Sequence, residues 1–129
     1  MNQKEIMEFC KKAKLLSKRD TDGTIIIVFR SVLNKREEPI GSTELAKLSG
    51  LHRLTVRHHL ERLRELDLLE ERKGKYKLRF DLIEDYIEYR RKKMLKMFEE
   101  LENIAGKMDK EFLNAGEENE RKRRRIEIK

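Results

Sequence analysis

Leu45-Ala46-Lys47-Leu48-Ser49-Gly50-Leu51-His52-Arg53-Leu54-Thr55-Val56-Arg57-His58-His59-Leu60-Glu61-Arg62-Leu63 is the stretch that decides how this chain is read. Leu45, Ala46 and Leu48 give a brief helix its inner face. Ser49-Gly50 stops it, because glycine enters the left-handed conformation at no steric cost. After the turn, Leu51, Val56, Leu60, Leu63 and Leu66 share one face of a second helix from about Arg53 to Leu66, while Arg53, Thr55, Arg57, His58, Arg62 and Arg64 spread over the rest. The second helix is apolar behind and mostly basic in front.

Upstream, Gly41-Ser42-Thr43 is a helix start in which Ser42 or Thr43 can accept from the orphan N–H groups of the first turn. The polar run Asn34 to Pro39, ending in the only proline, stops the helix before it. That helix carries Ile25, Ile26, Ile27, Val28 and Phe29. Three consecutive isoleucines favour a strand, but Val32 and Leu33 continue at helical spacing beyond strand length, so a buried helix is expected. Asp20-Thr21-Asp22-Gly23-Thr24 is a loop with helix-capping chemistry. Asn2 to Lys18 place Ile6, Phe9, Cys10, Ala13 and Leu16 at helical spacing, an amphipathic helix occupying segment 1–19. Cys10 lies on that apolar stripe and is expected as a buried small hydrophobe rather than a redox sensor.

Downstream, Leu68 to Phe80 forms two partly alternating runs about the turn at Gly74, a basic hairpin. Asp81-Leu82-Ile83-Glu84 then has the acidic cap and third-position Glu of a capping-box-like start. Helix-compatible sequence follows to about Leu113, on the order of 50 Å at about 1.5 Å per residue. No small globular core needs such a rod. Ile83, Ile87, Arg90, Met94, Met97, Leu101, Ile104 and Met108 follow steps of four and three, with Tyr86, Phe98, Ala105 and Phe112 widening the stripe, the pattern a partner helix reads. Arg90 on that seam would snorkel, pair with an acid or fix a dimer register. Segment 81–114 is thus expected to be a dimerisation helix and 115–129, with Arg121-Lys122-Arg123-Arg124-Arg125, a flexible basic tail.

A helix, a short helix, a tight turn, a longer basic helix and a basic hairpin make, in that order, a winged helix-turn-helix over 20–80. The fold class expected is mainly α with a small β-wing, followed by a long C-terminal helix. Leu45 to Leu63, with its continuation Arg64-Glu65-Leu66-Asp67-Leu68-Leu69-Glu70, closely resembles the recognition core of prokaryotic winged-helix transcriptional regulators, archaeal ones in particular. Three positions depart from the common pattern: His52 where a capping Ser or Thr is frequent, Leu54 at an often polar outward position, and Asp67 in place of a frequent Gly. The resemblance implies that the N-terminal end of the second helix enters the major groove. His52, Arg53, Leu54, Thr55, Arg57 and His58 are the contact candidates. Arg53 and Arg57 present forked donors suited to guanine edges, whereas Thr55 and Leu54 suit a thymine methyl or a phosphate. Lys73, Lys75, Tyr76 and Lys77 of the wing would meet backbone phosphates or a minor groove. Ser42 and Thr43 would add a phosphate contact at a helix N-terminus. A homodimer joined through Ile83, Ile87, Met94, Met97, Leu101, Ile104 and Met108 would bind a roughly palindromic duplex site.

Charge agrees with that placement. Lys and Arg number 32 against 25 Asp and Glu in 129 residues, a net +7. Leu51 to Arg79 holds nine cations against five anions, whereas Asp81 to Leu113 holds seven against nine, so positive charge gathers on the motif and the tail. With 44% charged residues, no Trp and a mean hydropathy of −0.86, a small, helical core is expected and a large ligand-enclosing one is not. Abundant Lys, Arg and Glu with scarce Gln, Cys and Pro resemble hyperthermophile composition. The single cysteine forms no internal disulfide, no run is long and apolar enough for a membrane span, and Met1 to Lys14 lacks a signal peptide's apolar core, so a cytoplasmic, nucleoid-associated protein is expected.

Six scattered glycines make no phosphate-binding loop and no nucleophile–base pair stands out, so neither an enzyme nor a cofactor is expected. His58 and His59 diverge around a helix with no cysteine near, which argues against a metal site and for surface or interface histidines. The Met and aromatic stripe leaves room for an unidentified small effector between long helices, although packing accounts for it better. Two rival readings stay open: a protein-interaction adaptor using the winged fold as scaffold, and a nonspecific RNA- or chromatin-binding protein.

Overall fold

The computed structural model describes residues 2–16, 23–113 and 121–125. The expected loop at 20–22 and most of the expected tail, 115–120 and 126–129, lie outside the described residues. The elements are α1 (Gln3–Lys12), α2 (Thr24–Asn34), β1 (Ile40–Gly41), α3 (Ser42–Ser49), α4 (Arg53–Glu65), β2 (Leu69–Arg72), β3 (Lys75–Leu78) and α5 (Ile83–Phe112). The described chain is mostly helical, with one small antiparallel sheet in the order β1-β3-β2 and a long C-terminal helix. It divides into two compact units, 1–86 and 87–129.

In the first unit α1 begins where Asn2 accepts a hydrogen bond from the Lys4 N–H at 2.8 Å. It ends sooner than the expected Lys18. Lys14 turns left-handed (φ 61), and the N–H groups of Leu15 and Lys14 donate back to the carbonyls of Cys10 and Lys11 at 2.9 and 3.2 Å. This closure suits the Schellman pattern, which buries the residue after the left-handed one; Leu15 is fully buried. Cys10 is buried as expected, and burial pushes its thiol up to about 11, so it stays protonated at neutral pH.

The three isoleucines are helical. α2 buries Ile25, Val28, Phe29, Val32 and Leu33 and leaves Ile27 exposed, the period of a helix and not of a strand. Gly23 precedes it in the left-handed conformation (φ 76). Phe9 and Phe29 rings lie 5.7 Å apart and seat α1 on α2. Leu45 of α3 and Val56, Leu60 and Leu63 of α4 complete the core with no exposed surface, and Leu69, Tyr76 and Leu78 close it from the sheet.

Several local expectations are corrected. The first residue of α3 is Ser42, and Gly41 is its cap with no side-chain hydrogen bond, so neither Ser42 nor Thr43 caps the helix. Strand β1 was not anticipated, because two residues carry no periodicity; it exists by pairing Ile40 with Tyr76 and Gly41 with Lys75. His59 is a core residue, 1% exposed, with Nε2 2.8 Å from the Thr24 hydroxyl. Tyr86, expected to widen the partner-helix stripe, is instead buried in the first unit, its hydroxyl donating to the Leu66 carbonyl at 2.8 Å and its ring 5.7 Å from Phe80.

Asp67 replaces a frequent glycine for a visible reason. It occupies the left-handed position after α4 (φ 67), with Leu68 and Asp67 N–H groups donating to the Leu63 and Arg64 carbonyls at 3.0 Å each. Aspartate tolerates this conformation better than most residues, and here it also pairs with Arg79 at 3.3 Å.

α5 starts at Ile83 with Glu84 and Asp85 in its first turn, complementing the helix dipole, and carries Lys110 in its last. Within the second unit Met94, Met97, Phe98, Leu101, Ile104 and Met108 are each about half exposed, a continuous apolar stripe. Residues 121–125 of the expected tail are helical.

Candidate nucleic-acid interface

α3 and α4 meet across Gly50, Leu51 and His52. Gly50 makes the turn in the left-handed conformation (φ 74), and Leu51 N–H donates to the Ser49 hydroxyl at 3.2 Å. His52, a departure from the usual Ser or Thr, does the same work: its Nδ1 accepts from the Leu54 N–H at 3.1 Å and caps α4. An accepting Nδ1 leaves the proton of a neutral ring on Nε2, away from the cap. At about 100° per residue, the buried Val56, His59, Leu60 and Leu63 cover one side of α4. Arg53, Leu54, Arg57 and His58 are exposed in its first two turns, whereas Thr55 is half-buried.

The hairpin between β2 and β3 is closed by two residues, Lys73 (φ 52) and Gly74 (φ 78). Two positive φ values are the signature of the tight turn whose twist matches its strands. Lysine is a poor choice for this conformation, which glycine or asparagine adopts more cheaply. The turn projects Lys73 and Lys75 into solvent. Because Gly41 pairs with Lys75, the N-terminus of α3, with half-buried Ser42 and exposed Thr43, lies beside the hairpin.

Tyr76 does not join Lys73 and Lys75. Strand alternation turns it inward, 4% exposed, and its hydroxyl donates to the Glu61 carboxylate of α4. Glu61 also accepts from Arg64 at 2.8 and 3.0 Å. The Tyr76 hydrogen bond first, and the Arg64 bond second, hold the Glu61 carboxyl below the usual carboxylate range, while burial and then the Glu61 bond push the Tyr76 hydroxyl up. A depressed folded value means stability that is complete above the unfolded carboxylate pKa of about 4.3 and fades as pH falls through the folded one. Urea midpoints measured from pH 7 to pH 3 are expected to show wild type losing this contribution on acidification. Glu61→Gln starts about 1 kcal/mol lower at pH 7 and lacks that part of the acid slope.

The cations of the region fall into two groups. Arg62 is turned away from the exposed face, its Nε and Nη2 donating to the carbonyls of Leu15 at 3.0 Å, Leu16 at 3.2 Å and Lys14 at 3.3 Å, beyond the end of α1. Arg64 is held by Glu61, Arg79 by Asp67, and Lys77 by Glu70 at 3.5 Å. Among the described residues, the side chains of Arg53, Arg57, Arg72, Lys73 and Lys75 make no ion pair or hydrogen bond. They lie at the start of α4 and at the hairpin turn.

Among the described residues, no helix is long and apolar enough to cross a membrane, and no group of three His, Cys, Asp or Glu is placed to hold a metal ion. An open apolar hollow lined by Ile6, Phe9, Phe29 and Ile83, with Glu5 at its edge, lies in the first unit. Ile83 therefore serves α1 and α2, although it also begins the stripe of α5.

No protein-family model and no curated protein matches the chain. Among solved structures, one named as a possible transcriptional regulator from Methanosarcina mazei Go1 is similar over 84% of this chain and 89% of that one, with 21% identity and a TM-score of 0.47. At that identity and TM-score the likeness carries no inference about this chain.

Proposed function

We propose that the chain is a winged helix-turn-helix transcriptional regulator that binds double-stranded DNA as a homodimer in the cytoplasm, with α4 in the major groove and the β2–β3 hairpin as a wing on the backbone. The observation that carries this reading is the sorting of the cations between Leu51 and Arg79. Arg62, Arg64, Lys77 and Arg79 are engaged within the protein, while Arg53, Arg57, Arg72, Lys73 and Lys75 keep their donors available at the start of α4 and at the wing turn. A polyanion needs unengaged donors where it docks.

In this reading Arg53 and Arg57 face base edges with His52, Leu54, Thr55 and His58 around them. Lys73 and Lys75 hold phosphates, with Ser42 and Thr43 beside them at the α3 N-terminus. Tyr76 has no DNA contact and braces the wing against α4. Ile87, Met94, Met97, Leu101, Ile104 and Met108 pair α5 with its copy, since such a stripe left in water is a large exposed apolar patch. Selection from a random duplex library at about 0.15 M salt tests the whole reading. An enriched palindrome is the expected result. Binding without enrichment would favour the nonspecific nucleic-acid binder, and no binding the adaptor.

The left-handed lysine gives a second test. Lys73→Asn relieves the backbone and is expected to raise stability by about 0.5 to 1 kcal/mol in chemical denaturation. The same change weakens all duplex sequences alike and lowers the salt slope of binding by about one counterion. Unchanged DNA affinity would remove Lys73 from the interface.

A further inference from the structure

Leu54 is 68% exposed on an otherwise polar helix face. The buried residues of α4 lie two, five, six and nine positions after it, offsets that at about 100° per residue all fall on the opposite side of the helix. Leu54 therefore sits at the centre of the outward face, in the first turn, and core packing gives it no role. Arg57 and His58, three and four residues on, flank it. One heptad further along the same line stand Glu61, Arg64 and Glu65, of which Glu61 and Arg64 are paired with each other. With Arg64 engaged there and Glu65 exposed, the cations of this face that keep their donors available are Arg53 and Arg57, in its first two turns. An isolated aliphatic group at the leading edge of that surface can meet only one apolar feature on the floor of a major groove, the C5-methyl of thymine.

Resting on the DNA-binding reading above, we infer that Leu54 is a specificity-determining residue that selects a thymine by its methyl group. Leu54 and Arg57 stand about 5 to 6 Å apart at Cβ, and successive bases of one strand rise about 3.4 Å. The selected thymine therefore lies within about two base pairs of the guanine contacted by Arg57.

The test uses the full chain and the duplex obtained by library selection. Each thymine of the site is replaced in turn by deoxyuridine, which removes the methyl and keeps the pairing, and affinities are measured for wild type and Leu54→Ala. One replacement per half-site, beside the Arg57 guanine, is expected to weaken wild type about fourfold, the effect of one buried methyl-sized group. It leaves Leu54→Ala unchanged, so the two losses do not add. Because Leu54 is exposed, the variant keeps the wild-type melting temperature, and Leu54→Met, which retains an apolar side chain, keeps the methyl dependence. If no deoxyuridine replacement distinguishes wild type from Leu54→Ala while the site is still bound in preference to others, the thymine assignment is overturned and the regulator reading stands. If the library yields no preferred site, both fall.

Discussion

Replacing Leu101 by glutamate is expected to separate the proposed homodimer into monomers and to lower its affinity for a duplex with two half-sites about 100-fold or more, since the second half-site is then no longer bound in the same event. Leu101 stands midway along the exposed stripe, one heptad from Met94 and from Met108, with Met97 and Ile104 on the alternate steps. A carboxylate there would be buried without a partner between two helices, a cost well above that of a lost contact. Glutamate is itself a good helix former, so α5 and the helical circular dichroism persist. The near balance of charge over α5 lets two copies approach without strong repulsion. Sedimentation at micromolar concentration reads the first effect, and duplexes with one or two half-sites read the second. A wild type that sediments as a monomer, or a variant that dimerises unchanged, overturns the dimer.

The second large effect is Arg57→Ala. It is expected to cost about 1 to 3 kcal/mol of binding on the selected site and to flatten the preference at one base pair, because a forked guanidinium reads the two acceptors of guanine. Lys75→Ala weakens every duplex to a similar degree and reduces the salt slope by about one. Both side chains are exposed, so neither change should move the melting temperature. Equal, sequence-independent losses from the two variants contradict the division between base reading and backbone clamping.

The elements that were legible in the sequence are those with a long apolar period. α2 and α4 repeat their buried positions, and α5 its apolar ones, often enough to declare their type, and Gly50 and Gly74 punctuate them. What was missed depends on partners distant in the chain. β1 is two residues made into a strand by β3. Arg62 has the composition of a basic face, yet its acceptors are carbonyls near the end of α1. Two errors had a signal available. Tyr76 alternates with Lys75 and Lys77, so a strand that buries Leu78 must bury Tyr76 as well. His59 lies three residues after Val56 and four before Leu63, inside the apolar stripe and not on the basic face. In both cases geometric position along the element, and not side-chain chemistry, decides where the residue lies.

The reach of Arg62 sets how this molecule can be dissected. Its guanidinium spans 47 residues back to the Leu15 carbonyl, so a fragment cut at Thr24, the start of α2, would strand a half-buried cation with its acceptors gone. A fragment that keeps these bonds therefore includes the first unit whole, 1–86, with the segment after α1 as an anchor of α4. Grafting the exposed face of α4 and the hairpin onto another scaffold calls for either that anchor or an uncharged residue at position 62.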